Sequence, residues 1–224
     1  MAYHQGIEAR HYASRVIVRE SLGRICLREL RHRFSKAKMK TPPYDHVCQV
    51  GDPILRGESS PVNPRQIKSA EVQNAIKMMT KVMRSAGAVG CAAPQVGMAK
   101  QIVVMEFTKE HMESLEKEVQ KAREVTVFPL KVFINPELKV IDPRIVTLLE
   151  GCLSISGYDA CVPRAYGVEL SGLNELGQPV TWSTTGYSAR IVQHEMDHLR
   201  GKLFIDIMDS STFVDKEWPR WNLK

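Results

Sequence analysis

At 224 residues and 43% hydrophobic, the chain is long enough to bury one good core and short for two domains of ordinary size, and no apolar run reaches the roughly 18 residues that a membrane span needs. Its net charge of +6 points to nucleic acid until it is located: residues 1–40 hold ten Lys or Arg against three Glu, and the remaining 21 basic and 22 acidic side chains nearly cancel. Five cysteines without a CxxC pair argue for a reducing compartment and against a disulfide framework.

Within the basic segment Arg10, Arg15, Arg19, Arg24, Arg28 and Arg31 recur among Ile7, Ile17, Leu22, Ile25 and Leu27, the pattern of an amphipathic targeting presequence, with a solvated basic tail as the alternative. It lacks the aromatic interleaving of a nucleic-acid arm, so no nucleic-acid binding is expected. From Thr41 to Pro64 the composition is that of loops and turns. Ser69 then offers an N-cap to a helix with Val72, Ile76, Met79 and Val82 or Met83 on one face, ending near Gly87.

QIVVMEF, Gln101 to Phe107, and KVFIN, Lys131 to Asn135, read as strands. Between them Met112, Leu115, Val119 and Ala122 share one face of a predicted surface helix. VELSGL and PVTWS flank NELGQ as a hairpin. Strands clustered in the middle with helices towards both ends imply an α+β class, one domain of mainly antiparallel strands around a C-terminal helix. That last helix is predicted to begin near Ser183 to Thr185, to carry Ala189, Ile191, Val192 and Leu199 inward, and to stop at Gly201.

The last helix contains RIVQHEMDHLRG. Residues four apart on a helix stand over one another, so His194 and His198 aim at a common point with Glu195 beside them, the HExxH arrangement of two metal ligands and a proton-transfer carboxylate. An isolated match of this kind can also be an ordinary amphipathic helix, so the third ligand decides. A third histidine is ruled out, because Phe204 occupies its place. Glu217 would make the site a metallopeptidase. Cys152, in EGCLSISG, is a soft anionic donor beside a glycine. Cys152 with Cys161 would instead complete a structural zinc in a non-catalytic binding module, but their nine-residue spacing exceeds the usual knuckle, and Cys161 reads better as a buried strand thiol. Asp197 reads as a surface group.

HEMDH, EGCLS and AVGCAAPQVG resemble the three signature motifs of peptide deformylases, and VGDPILR, FINPEL, VPR and GKLFIDIMD extend the similarity over Val47 to Asp209. The resemblance implies that Cys152, His194 and His198 bind one divalent metal, Fe(II) or Zn(II), with Co or Ni able to substitute. It implies that metal-bound water attacks the formyl carbon of an N-terminal formyl-methionine, with Glu195 as general base and then acid, and that Gln95 and the Leu153 N–H stabilise the oxyanion. Val89, Gly90 and Gly151 match positions that pair with an extended substrate, and Arg164 and Ile191 match the methionine pocket. Ala88, Cys91 and Ser156 stand where the family commonly has glycine, leucine and proline. GYDACVPR and the inserted segment from Thr108 to Val127 resemble the animal mitochondrial branch. The resemblance therefore implies a transit peptide over 1–40, a catalytic domain over 41–210, an extension over 211–224, a mitochondrial matrix location, and formyl-methionyl nascent chains as partners.

Overall fold

The computed structural model describes residues 41–223, and the basic leader expected over 1–40 lies outside them. Residues from Thr41 onward form one compact unit. Its centre is a six-stranded sheet in which β1 (Gly90–Ala92), β2 (Ile102–Phe107), β3 (Phe128–Cys152), β4 (Ile155–Leu173) and β5 (Pro179–Thr185) follow one another in order, with β6 (Val214–Asp215) pairing separately with β4. Every strand pair is antiparallel. The α+β, single-domain expectation for this part of the chain is met.

The period of two along β2 explains why its sequence is continuously apolar. Ile102 and Val104 face one core with Val132 and Ile134 of β3, against helix α1 (Ala70–Ser85). Val103, Met105 and Phe107 face the other with Phe133, against helix α4 (Gly186–Leu199). The sheet is thus covered on both sides. Helix α1 begins as expected, with the Ser69 hydroxyl accepting from the Val72 N–H. Helix α4 starts after Thr185 and ends as expected, with Gly201 in the left-handed region at φ +69°. A third cluster of Leu55, Ile155, Val162, Leu203 and Phe204 closes the end of the fold beneath the β3–β4 turn.

Four expectations need correcting. KVFIN lies near the start of a 25-residue strand, because β2 partners β3 up to Ile134, β4 partners it from there to Cys152, and bulges absorb the local misfits. One such misfit follows Asn135, which takes φ +52° and clamps the backbone of Val62 with both amide groups, at 2.7 and 2.8 Å. The inserted surface helix is two short helices, α2 (Lys109–Glu113) and α3 (Lys117–Arg123). The Gln120 amide donates to the Met112 and Leu115 carbonyls and so satisfies the end of α2, while Met112 and Leu115 pack on the sheet core and Ala122 is exposed. The helix that carries the histidines is not the last, since α5 (Trp218–Asn222) follows. Cys161 lies on β4 as expected but is only half-buried. NELGQ does turn β4 into β5, with Asn174 Oδ1 accepting from the Leu176 and Gln178 N–H groups.

Candidate metal centre and active site

Three elements bring the site together. The β3–β4 hairpin turns through Leu153 and Ser154 alone, so Cys152 sits at its tip. Helix α4 presents His194, Glu195 and His198 to that tip. The segment after β1 supplies Gln95 on a single 3-10 turn, Ala93–Val96, opened by Pro94.

The donor atoms of Cys152, His194 and His198 all lie within 4.8 Å of one another. Cys152 Sγ is 3.3 Å from His198 Nε2, and the two imidazole rings meet edge to face, with centroids 5.0 Å apart. The Ser154 N–H and the Gln95 amide also approach the sulfur, at 3.4 and 3.7 Å. Gln95 Oε1 accepts from the Ala92 N–H at 2.9 Å, which turns its NH₂ group towards Cys152 and Ser154. Glu195 is 4% exposed, and its Oε2 has no hydrogen-bond partner. A buried orphan carboxylate oxygen beside one thiol and two imidazoles fits a site built for an ion and a water. Glu217 and Cys161 do not belong to this donor group. Glu217 is exposed and paired with Arg220, and the Cys161 N–H is bonded to Thr212 Oγ1.

Burial shapes the charges. It raises the Glu195 carboxyl to about 7, with the charge on His194 opposing and that on Glu150 adding to the rise. Burial pushes His198 well below the ordinary histidine value. For His194 the same penalty is outweighed by bonds to Cys152 and Glu150, which hold it well above. His194 Nδ1 lies 3.0 Å from Glu150 Oε2. An ionised carboxylate only accepts, so Nδ1 carries the hydrogen and Nε2 is left for the site. Burial alone would raise Glu150, but bonds from His194 and Arg164 bring it down to about 2.

A cleft of about 460 Å³ opens above these groups, and Val89, Gly90, Gln95, Gly151, Leu153 and Ile191 all line it. Gly90 is required by space: a Cβ there would come within 2.2 Å of Glu195 Oε1. Gly151 is less confined, since a Cβ there would meet only the end of one side chain, Asp159 Oδ1, at 2.3 Å. Ser156 and Ala88 also reach the cleft, whereas Cys91 is fully buried in the α1 core. Arg164 is absent from the cleft lining. Its guanidinium makes two 3.0 Å bonds to Glu150 and one of 2.5 Å to Asp197. Asp197, expected at the surface, is therefore half-buried and paired with the buried Arg164. Glu150 and Arg190 are functional residues to which the sequence motifs give no role. Strand alternation places Glu150 on the same face as Cys152, and an arginine at 190 interrupts an otherwise apolar stripe of Ala189, Ile191 and Val192; both signals were present.

The profile of the polypeptide deformylase family matches residues 44–213. The chain belongs to this family. It is 46% identical over 181 residues to the human protein "Peptide deformylase, mitochondrial", covering 81% of this chain and 74% of that one. It is 41% identical to tomato "Peptide deformylase 1A, chloroplastic", of which it spans 60%. Among solved structures, a Synechococcus elongatus peptide deformylase in complex with actinonin has a TM-score of 0.61 at 36% identity, covering 78% of this chain and 84% of that one. A Met-Ala-Ser-bound class I type b peptide deformylase from Acinetobacter baumannii has a TM-score of 0.64 at 28% identity, covering 77% of this chain and all of the other. The chain is an enzyme of this family, a metal-dependent hydrolase that removes the N-formyl group from new polypeptides. Its named relatives include both mitochondrial and chloroplast proteins.

Proposed function

We propose that the chain deformylates N-formyl-methionyl nascent polypeptides with Cys152, His194 and His198 as metal ligands and Glu195 as the proton-transfer residue. The observation that carries this reading is the three-donor group beside an unpartnered, buried Glu195 oxygen at the base of the cleft. Thiolate with imidazole accepts Fe(II), Zn(II), Co(II) or Ni(II). Bound there, such an ion supplies Lewis acidity and brings the pKa of a water towards neutrality.

Glu195 takes the proton of the attacking water as its oxygen bonds to the formyl carbon. The oxyanion that develops receives the Gln95 amide and the Leu153 N–H, each donor contributing about 3 kcal/mol where such donors are preorganised. Glu195 then returns the proton to the leaving nitrogen as the C–N bond breaks, releasing formate and a free amine. Val89 and Gly90 on one wall and Gly151 on the other would pair with an extended peptide as an added strand. Ile191 lines the side of the cleft that would take the methionine side chain, whereas Arg164 would act from behind through Glu150. The Met-Ala-Ser carried by the Acinetobacter relative supports this class of peptide. Because a Cβ at Gly90 would collide with Glu195, the wall is close enough to favour formyl over larger acyl groups.

The same reading assigns residues 1–40 as a transit peptide, 41–210 as the catalytic domain and 211–224 as an extension, in the mitochondrial matrix. The basic leader and the mitochondrial relative support it. The decisive experiment measures formate released from formyl-Met-Ala-Ser by metal-loaded protein. The wild type turns over, Glu195→Ala keeps metal and fold without turnover, and Cys152→Ala loses metal; full metal with no formate release would refute the reading.

A further inference from the structure

Four donors converge on Glu150, behind His194. Its Oε1 accepts from Arg164 Nε at 3.0 Å and Arg190 Nη1 at 2.7 Å, and its Oε2 from Arg164 Nη2 and His194 Nδ1, both at 3.0 Å. Two guanidiniums on one carboxylate would leave a buried cation in excess; Asp197, 2.5 Å from Arg164 Nη1, offsets the second guanidinium. Arg164 and Arg190 are 5% and 3% exposed, so water contributes little to either.

The two arginines are anchored differently. Arg164 turns Nη1 to Asp197. Arg190 reaches backbone instead, with Nη2 at 2.5 Å from the Val146 carbonyl and Nη1 at 2.7 Å from that of Val162. Strand β2 pairs with β3 no further than Ile134, so the stretch of β3 before Glu150 has β4 on one side only. Arg190 is carried by α4 one turn before His194. One side chain therefore ties together the strand that carries Glu150, the neighbouring strand, and the helix that carries a proposed ligand. The β3–β4 ladder holds the Glu150 backbone in register with Ala160, and the direction of its carboxylate is left to these side-chain bonds.

From this geometry we infer that Arg190 is a positioning residue for the metal centre: it holds Glu150 on the His194 Nδ1–H, and thereby fixes the tautomer and orientation with which His194 offers Nε2. The inference rests on the reading of His194 as a ligand. A partner of this kind acts on a metal by orienting its ligand, and losing one costs about 10–100-fold in affinity.

The test compares Arg190→Met, which keeps the packing stem and removes the donors, with Arg190→Lys, His194→Ala and Met79→Ala, the last a destabilised control in the α1 core. Zn(II) affinity is measured by chelator competition, and visible absorption is recorded on Co(II)-loaded protein, both well below the melting temperature. Arg190→Met is expected to weaken Zn(II) about 10–100-fold and to change the Co(II) spectrum, with Arg190→Lys recovering part of the loss. Met79→Ala should melt earlier with affinity and spectrum unchanged. If Arg190→Met also does no more than melt earlier, Arg190 is a structural strut and the inference falls. Should Arg190→Met fail to fold, Arg190→Lys decides, and wild-type affinity and spectrum in that variant would overturn it. If His194→Ala retains wild-type affinity, the ligand assignment itself is wrong, a result distinct from silence at Arg190.

Discussion

Helices α1 and α4 cover opposite faces of one sheet with opposite chemistry. The inward face of α1 is Val72, Ile76, Met79, Val82 and Met83, and its single buried polar side chain, Thr80, bonds back to the Ile76 carbonyl of its own helix. Helix α4 buries Ser188, Arg190, Gln193, Glu195 and His198 in fourteen residues. Each of those groups has to be matched or left for a ligand: Gln193 brackets the Ala165 backbone at 3.0 and 2.8 Å, Arg190 bonds Glu150 and the Val146 and Val162 carbonyls, and Glu195 and His198 keep one orphan atom each. The first layer stabilises by removing apolar area from water. The second spends part of that stability to hold charges where chemistry needs them.

The contrast can be broken or sharpened by substitution, starting with the largest effect. Glu195→Gln should lower kcat by roughly 10²–10⁴-fold with metal retained; a variant that kept its rate would make α4 as inert as α1. Met79→Ala should cost about 2–5 kcal/mol of stability, read as a fall in melting temperature, with kcat unchanged at temperatures where it stays folded. Between the layers, Gly90→Ala should reduce kcat by about 10²-fold through displacement of Glu195, with a smaller effect on melting. At the edge of the α1 layer, Ser69→Ala removes the N-cap and should cost about 1 kcal/mol without touching catalysis.

The smallest effect is a pH dependence. Arg84, in the last turn of α1, makes two bonds to Glu106 of β2, at 2.7 and 2.9 Å, and these hold the Glu106 carboxyl below its ordinary value. A carboxylate depressed in the folded state stabilises above its unfolded pKa, and that contribution disappears as pH falls through the folded value. Arg84 is 55% exposed, so screening limits the pair to about 0.5 kcal/mol. Glu106→Gln should therefore melt slightly early at neutral pH and converge with the wild type in acid, whereas a gap that persisted in acid would assign the loss to packing.

Much of this was legible in one dimension. The α1 stripe, the β2 run, the NELGQ turn and the Gly201 stop are local patterns, and each was found within a residue or two of its expected place. The apolar spacing of the inserted segment is that of one helix; the break after α2 depends on Gln120 folding back onto two carbonyls, which periodicity does not express. Cys152, His194 and His198 were visible as a motif and a candidate donor, and the structure brings their donor atoms together. Arg164, whose place in the motif suggests a pocket, bonds Glu150 and Asp197.

By itself the sequence determined the α1 stripe, the β2 strand, the NELGQ turn, the stop of α4 and the residue types that can hold an ion, because these depend on periods of two and 3.6 and on the chemistry of single side chains. Tertiary structure alone decided which charges meet. Glu150 lies 14 residues from Arg164, 40 from Arg190 and 44 from His194, and only the folding of a hairpin tip onto a helix closes those distances to three ångströms or less. Contacts between residues so far apart in the chain follow from packing geometry, which no local pattern encodes.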